Sequence, residues 1–79
     1  MRDYTLLSMK ATQPLGTRIR NARRIVAMSQ HQLAQAVGVA RTTVTMWESG
    51  RREPSLRNLR HIGDALSIPL EALLAPDQE

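Results

Sequence analysis

The sequence predicts an all-α fold, a compact unit of five helices. Apolar residues recur at spacings of three and four through almost the whole chain. Strand-like alternation is absent. Two glycines, Gly38 and Gly50, stand where runs of that spacing end.

The elements follow in order. Residues 1–13 show no sustained period and read as an N-terminal arm, with Leu6, Leu7 and Met9 its apolar members and Met9 an alternative start. Pro14 opens a first helix whose stripe is Leu15, Ile19, Ala22 and Val26, ending near Met28; Arg18, Arg20 and Arg24 lie off that stripe. Ser29 with Gln32 three residues later is a capping box, so a second helix starts at Gln30 and presents Leu33, Ala34 and Val37 inward. Gly38 stops it in a left-handed conformation. A third helix spans 41–49, with Val44 and Trp47 inward and Val39 packed in the turn before it, and Gly50 ends it. Ser55 caps a fourth, with the stripe Leu56, Leu59, Ile62 and Leu66. Pro69 opens a short fifth carrying Leu70, Leu73 and Leu74. The domain is therefore placed at residues 14–75, with a tail at 76–79.

Seventy-nine residues make one domain with a small core. The chain has no cysteine, which excludes a disulfide framework and a thiolate metal site. No apolar run reaches the roughly 18 residues of a membrane span, and the first residues lack a signal peptide's order of charge and apolarity. A soluble cytoplasmic protein with no membrane partner is expected.

Charge is unevenly placed. From Arg18 to Arg60 nine arginines stand against Glu48 and Glu53, a balance of +7, whereas from His61 onward there is no Lys or Arg and four carboxylates. A domain polarised in this way attracts a polyanion to one side, and arginine in preference to lysine suits phosphate.

Arg41, Thr42, Thr45 and Met46 form a face of the third helix that has no apolar partner. A tight turn between steeply crossing helices needs a small residue at the contact, a glycine in the turn and an apolar wedge. Ala34, Gly38 and the trio Val39, Val44 and Trp47 supply these. With "GTRIRNAR" before it, "MSQHQLAQAVGV" through it, and "WESGRREPS" and "LRHIGDALSIPLEALL" after it, the pattern resembles the helix-turn-helix of the lambda repressor and Cro type, the XRE family.

The resemblance covers about Leu15 to Leu74. It implies a lambda-repressor-like fold whose helix-turn-helix is formed by helices 2 and 3, and a sequence-specific regulator of transcription, most simply a repressor. Its third helix would enter the major groove of double-stranded DNA. Arg41, Thr42, Thr45 and Met46 match the base-facing positions. Gln30, Thr43, Arg51 and Arg52 match backbone-contacting ones, and Arg23 and Glu48 match an internal salt bridge. A homodimer on a palindromic operator is implied, with the contact expected around Ile68, Leu70, Leu73 and Leu74 or through exchange of the arm. Ala40 departs from the Ser or Thr usual at the cap of the third helix, and Gly63 stands where alanine is usual.

Other chemistry is weakly represented. His31 and His61 sit on different helices without a carboxylate at ligand spacing, so no metal is expected. Ser29 and Ser55 serve as caps, no nucleophile constellation suggests itself, and phosphate-binding glycine motifs are missing. No enzyme activity, cofactor or small-molecule ligand is expected, and no ligand-sensing domain after Glu79. The alternative use of the same fold is protein docking, as in an antitoxin or adaptor. The clustered arginines favour DNA.

Overall fold

The computed structural model describes residues 13–74. The expected tail, nearly all of the expected arm and its Leu6, Leu7 and Met9 lie outside them. Among the described residues there are five helices and no strand: α1 Leu15–Ile25, α2 Gln30–Val37, α3 Arg41–Ser49, α4 Leu56–Leu66 and α5 Leu70–Leu74. None of these helices is long and apolar enough to cross a membrane.

The core is built from one stripe of each helix. Ile19 of α1, Leu33 and Ala34 of α2, Val44 and Trp47 of α3, Leu59, Ile62 and Leu66 of α4 and Leu73 of α5 are all buried. Leu15, Ala22, Met28, Val37, Val39, Ile68 and Leu70 pack around them. α2 and α3 lie against each other, with α4 behind α2 and α1 behind α3.

Local chemistry sets the ends of the helices. Ser29 Oγ accepts from the Gln32 amide at 3.0 Å while Gln32 Oε1 accepts from the Ser29 amide at 2.8 Å, the reciprocal box expected there. Ser55 accepts from the Asn58 amide at 3.1 Å. Gly38 and Gly50 are left-handed, at φ 87° and 81°.

Two apolar positions differ from the expected stripes. α1 ends at Ile25, short of Met28, and Val26 is 44% exposed. The cause is Ala27, left-handed at φ 58°. It turns the chain so that the Met28 amide donates back to the Arg23 carbonyl at 3.0 Å, and Met28 reaches the core in place of Val26. Leu56 is 53% exposed, because the inward period of α4 begins with Leu59.

The expected dimer face is also largely consumed. Leu73 is core, its carbonyl accepts from Arg18 Nη1 at 3.2 Å, and Ile68 and Leu70 pack on the core. Only Leu74, 47% exposed, stays free of it. Gly63 has a packing reason: a Cβ there would lie 2.8 Å from the Ile68 carbonyl oxygen.

Candidate nucleic-acid interface

The surface expected to meet a partner is carried by α3, and two helices hold α3 in place from opposite sides. In front, Ala34 brings α2 close. Both the Gly38 and the Val39 amides donate to the Ala34 carbonyl, at 2.8 and 3.0 Å, so the link from α2 to α3 is a rigid turn. Behind, Gly16 lets the first turn of α1 approach the backbone of α3. A Cβ on Gly16 would overlap the Trp47 carbonyl oxygen and lie 2.7 Å from that of Glu48. Val44 and Trp47 fill the space between the helices and leave the opposite face of α3 outward.

On that outward face Arg41, Thr42 and Thr45 are exposed, and Met46 and Thr43 are half-buried. Arg51 and Arg52 follow the Gly50 turn, exposed, with both their amides donating to the Met46 carbonyl at 3.0 and 3.3 Å. That wrapped turn holds two cations beside the C-terminal end of α3. Ala40 sits extended at the start of α3 with no side-chain cap. The first-turn Thr43 amide instead donates to the Ala40 carbonyl at 3.0 Å.

Beneath this face lies a buried ion pair. Arg23 Nε donates to Glu48 Oε2 at 2.7 Å and Arg23 Nη2 to Oε1 at 3.0 Å, a fork that matches the carboxylate with two parallel bonds. Arg23 Nη1 is spent on the Met28 carbonyl at 2.8 Å. The two residues are only 8% and 5% exposed, and no buried side-chain polar atom among the described residues lacks a partner. Burial by itself pushes the Glu48 carboxyl up. The bonds from Arg23 and Gln30 and the charges of Arg23 and Arg20 outweigh it and hold the group below the usual carboxylate value. The bond to Glu48 likewise raises Arg23, against the opposing effect of burial.

Gln30 is half-buried, and both ends of its side-chain amide are engaged within the fold. Its Nε2 donates to Glu48 Oε1 at 3.1 Å and its Oε1 accepts from Thr45 Oγ1 at 3.0 Å. The expected pair Arg23 and Glu48 thus joins two expected contact residues in one chain of bonds. Reasoning from sequence missed Gly16, Arg20 and this linkage. Arg20 approaches Glu48 with Nε at 3.9 Å from Oε1 and donates from Nη2 to its carbonyl at 3.5 Å. Gly16, Arg20 and Arg23, spaced four and three apart, share a face of α1, and that spacing is the signal that was available.

Three of the nine clustered arginines, Arg18, Arg20 and Arg23, therefore turn inward to the fold. Arg24, Arg41, Arg51, Arg52, Arg57 and Arg60 are exposed. Among the described residues no group of three metal-ligating side chains comes together.

This geometry can be set beside known proteins. The family model described as helix-turn-helix matches residues 19–73, from the middle of α1 into α5. The chain belongs to this helix-turn-helix family. Among curated family members, an uncharacterized HTH-type transcriptional regulator of Archaeoglobus fulgidus is 40% identical over 63 residues, covering 80% of this chain and 90% of that protein. The cryptic phage CTXphi transcriptional repressor RstR of Vibrio cholerae is 36% identical over 56 residues, 71% of this chain. The match spans 50% of RstR's own length. Among solved helix-turn-helix structures, the P22 c2 repressor in complex with a synthetic operator superposes with a TM-score of 0.78 at 35% identity. That match covers 84% of this chain and all of the other. The DNA-binding domain of SinR from Bacillus subtilis gives 0.74 at 27% identity, over 82% and 96%. The lambda-repressor-like fold expected from the sequence is the fold observed.

Proposed function

We propose that this protein is a sequence-specific, double-stranded DNA-binding transcriptional regulator, a repressor that docks α3 in the major groove of its operator. The observation that carries this reading is the exposed face of Arg41, Thr42 and Thr45, followed by Arg51 and Arg52. It is mounted on a helix locked from behind by Gly16 and the Arg23–Glu48 pair. A rigid helix with side chains able to read base edges at its start and cations beside its end has what groove docking requires. The likeness to a repressor structure that contains operator DNA supports the same use of this face. Arg41, Thr42, Thr45 and Met46 are assigned to bases, and Thr43, Arg51 and Arg52 to the backbone. Gln30 acts at the backbone only through what its bonds to Glu48 and Thr45 leave free.

One such helix reads about four to six base pairs, so two copies on a palindromic operator are proposed, their half-sites about one helical turn apart. Leu74, the exposed apolar residue of α5, is the starting point for that contact. Repression follows from occupancy of the promoter, in the cytoplasm, without a cofactor.

The test is selection from random duplexes, followed by mobility shift on the enriched sequence and on unrelated DNA in low and high salt. A palindromic consensus bound far more tightly than unrelated DNA is expected. Failure to enrich any sequence overturns the reading. Ultracentrifugation that gives a strictly monomeric mass, both free and on the palindrome, overturns the dimer alone.

A further inference from the structure

The bonds beneath α3 reach the surface at Thr45, and they fix which way its hydroxyl points. The chain begins at Glu48. Its carboxylate accepts from Arg23 at two atoms, so it is ionised and offers only lone pairs to other neighbours. The Gln30 side chain beside it must therefore turn its amide nitrogen toward Glu48, as the 3.1 Å bond from Nε2 to Oε1 records. Its carbonyl end is thereby forced toward Thr45, where Oε1 lies 3.0 Å from Oγ1. The second neighbour of that hydroxyl is the Arg41 carbonyl at 3.2 Å, again an acceptor. Thr45 has one hydroxyl proton and two acceptors inside the protein competing for it. What remains for the outside is an oxygen lone pair and a methyl group, on an exposed position one turn beyond Arg41.

We infer that Thr45 is a polarised base reader, an acceptor that selects an adenine or cytosine amino group on the strand it faces, and that Gln30 is the residue that positions it. In the major groove adenine N6 and cytosine N4 donate, whereas guanine and thymine present acceptors at the corresponding edge. A freely rotating threonine hydroxyl can serve either kind of edge. Here the donor is already committed, so an acceptor edge opposite Oγ1 meets lone pair against lone pair. The inference rests on the DNA-binding reading above and adds to it the hydrogen-bonding sense of one position.

The experiment is selection and sequencing of bound random duplexes with the wild-type chain, Thr45→Val and Gln30→Leu, each checked for folding by its melting curve. Thr45→Val keeps the shape, removes the hydroxyl and leaves the buried pair intact. The wild type should favour adenine or cytosine at one position of each half-site by roughly two- to tenfold, the size of one net hydrogen bond. In Thr45→Val that preference should vanish while the rest of the consensus stays. In Gln30→Leu the nearer acceptor is gone and only the 3.2 Å bond to the Arg41 carbonyl still competes for the hydroxyl proton, so the preference at the same position should weaken toward guanine and thymine without being lost. A purely structural role for Gln30 would weaken all positions together and leave the base frequencies alone. The inference is overturned if the Thr45-dependent position favours guanine or thymine, or if Thr45→Val leaves every base frequency unchanged. No enrichment by the wild type would instead remove the DNA-binding reading on which it stands.

Discussion

Gly16 of α1 lies so close to Glu48 of α3 that a Cβ on the glycine would come within 2.7 Å of the Glu48 carbonyl oxygen, and closer still to that of Trp47. Both obstacles are backbone, which cannot rotate away. Gly16→Ala gains helix propensity but forces the first turn of α1 off α3, and overpacking of that kind destabilises by about 1–3 kcal/mol. Thermal unfolding should fall by about 4 °C or more for a domain of this size. A melting temperature at or above the wild-type value would show that the two helices separate freely.

The same two helices are tied by charge. Glu48→Ala leaves the buried Arg23 guanidinium with only the Met28 carbonyl, and breaking a buried pair from one side costs about 3–5 kcal/mol. The remaining bond to Met28 places this variant toward the lower end. Arg23→Ala strands the carboxylate instead, although Gln30 and Arg20 still face it. Once one partner is gone, removing the other relieves an unpaired charge, so the double variant should be markedly less destabilised than the two losses added together. Denaturant unfolding of all four proteins measures this, and strict additivity would show the two side chains to be independent.

The pair also sets a pH dependence. The Glu48 carboxyl is held below its ordinary value of 4.5 in the folded protein and returns to that value on unfolding. The unfolded chain therefore takes up the proton first as pH falls. The stability due to Glu48 is complete well above pH 4.5 and declines as pH passes through that value toward the lower folded one. Glu48→Gln, which keeps the shape without the titration, should start less stable at neutral pH and lose less on acidification. Parallel melting curves for the two proteins from neutral to acid pH would contradict this.

These features were unequally legible in the sequence. The Ser29–Gln32 box, the glycine turns and the inward positions of α2 and α3 are local, fixed by residues within a few places of one another, and they stand as read. The Arg23–Glu48 pair spans 25 residues. It was legible through resemblance, and nothing in either residue's own neighbourhood announces it. Spacing puts Gly16, Arg20 and Arg23 on one face of α1, but which helix that face meets, and the Gln30–Thr45 bond, depend on how helices approach across the core, which spacing along one helix does not encode. Val26 was misplaced because Ala27 enters a left-handed conformation that alanine seldom adopts. Gly38 and Gly50 declare the same conformation openly.

Ala40 offers a stabilising change. Its extended backbone, φ −74° and ψ 152°, already matches that of Ser29 and Ser55, yet it has no side chain to accept from the Thr43 amide. Ala40→Ser should stabilise the fold by about 1 kcal/mol, and Ala40→Gly by a few tenths less. Chemical denaturation of the three proteins checks this, and an unchanged midpoint for serine would mean that the carbonyl of residue 40 already satisfies that amide.

In the proposed docking the exposed arginines separate reading from gripping. Arg41 stands at the first position of α3, where its charge opposes the helix dipole and finds no carboxylate partner among the ion pairs described above, so the fold gains little from it. Facing a base edge, it can bond guanine at two atoms. Arg41→Ala should then weaken operator binding by about 1–3 kcal/mol and binding to unrelated DNA much less. Arg52 lies past Gly50 on a turn whose amides are tied to Met46, which in the proposed docking puts it beside the groove rather than in it. Arg52→Ala should weaken both DNAs alike and reduce the slope of log affinity against log salt by about one, since one phosphate fewer is neutralised. Both variants, titrated on operator and random duplexes across a salt series, give four slopes and four affinities. Equal losses on the two DNAs for Arg41→Ala would make Arg41 a second phosphate contact, and base recognition would then have to come from Thr42, Thr45 and Met46.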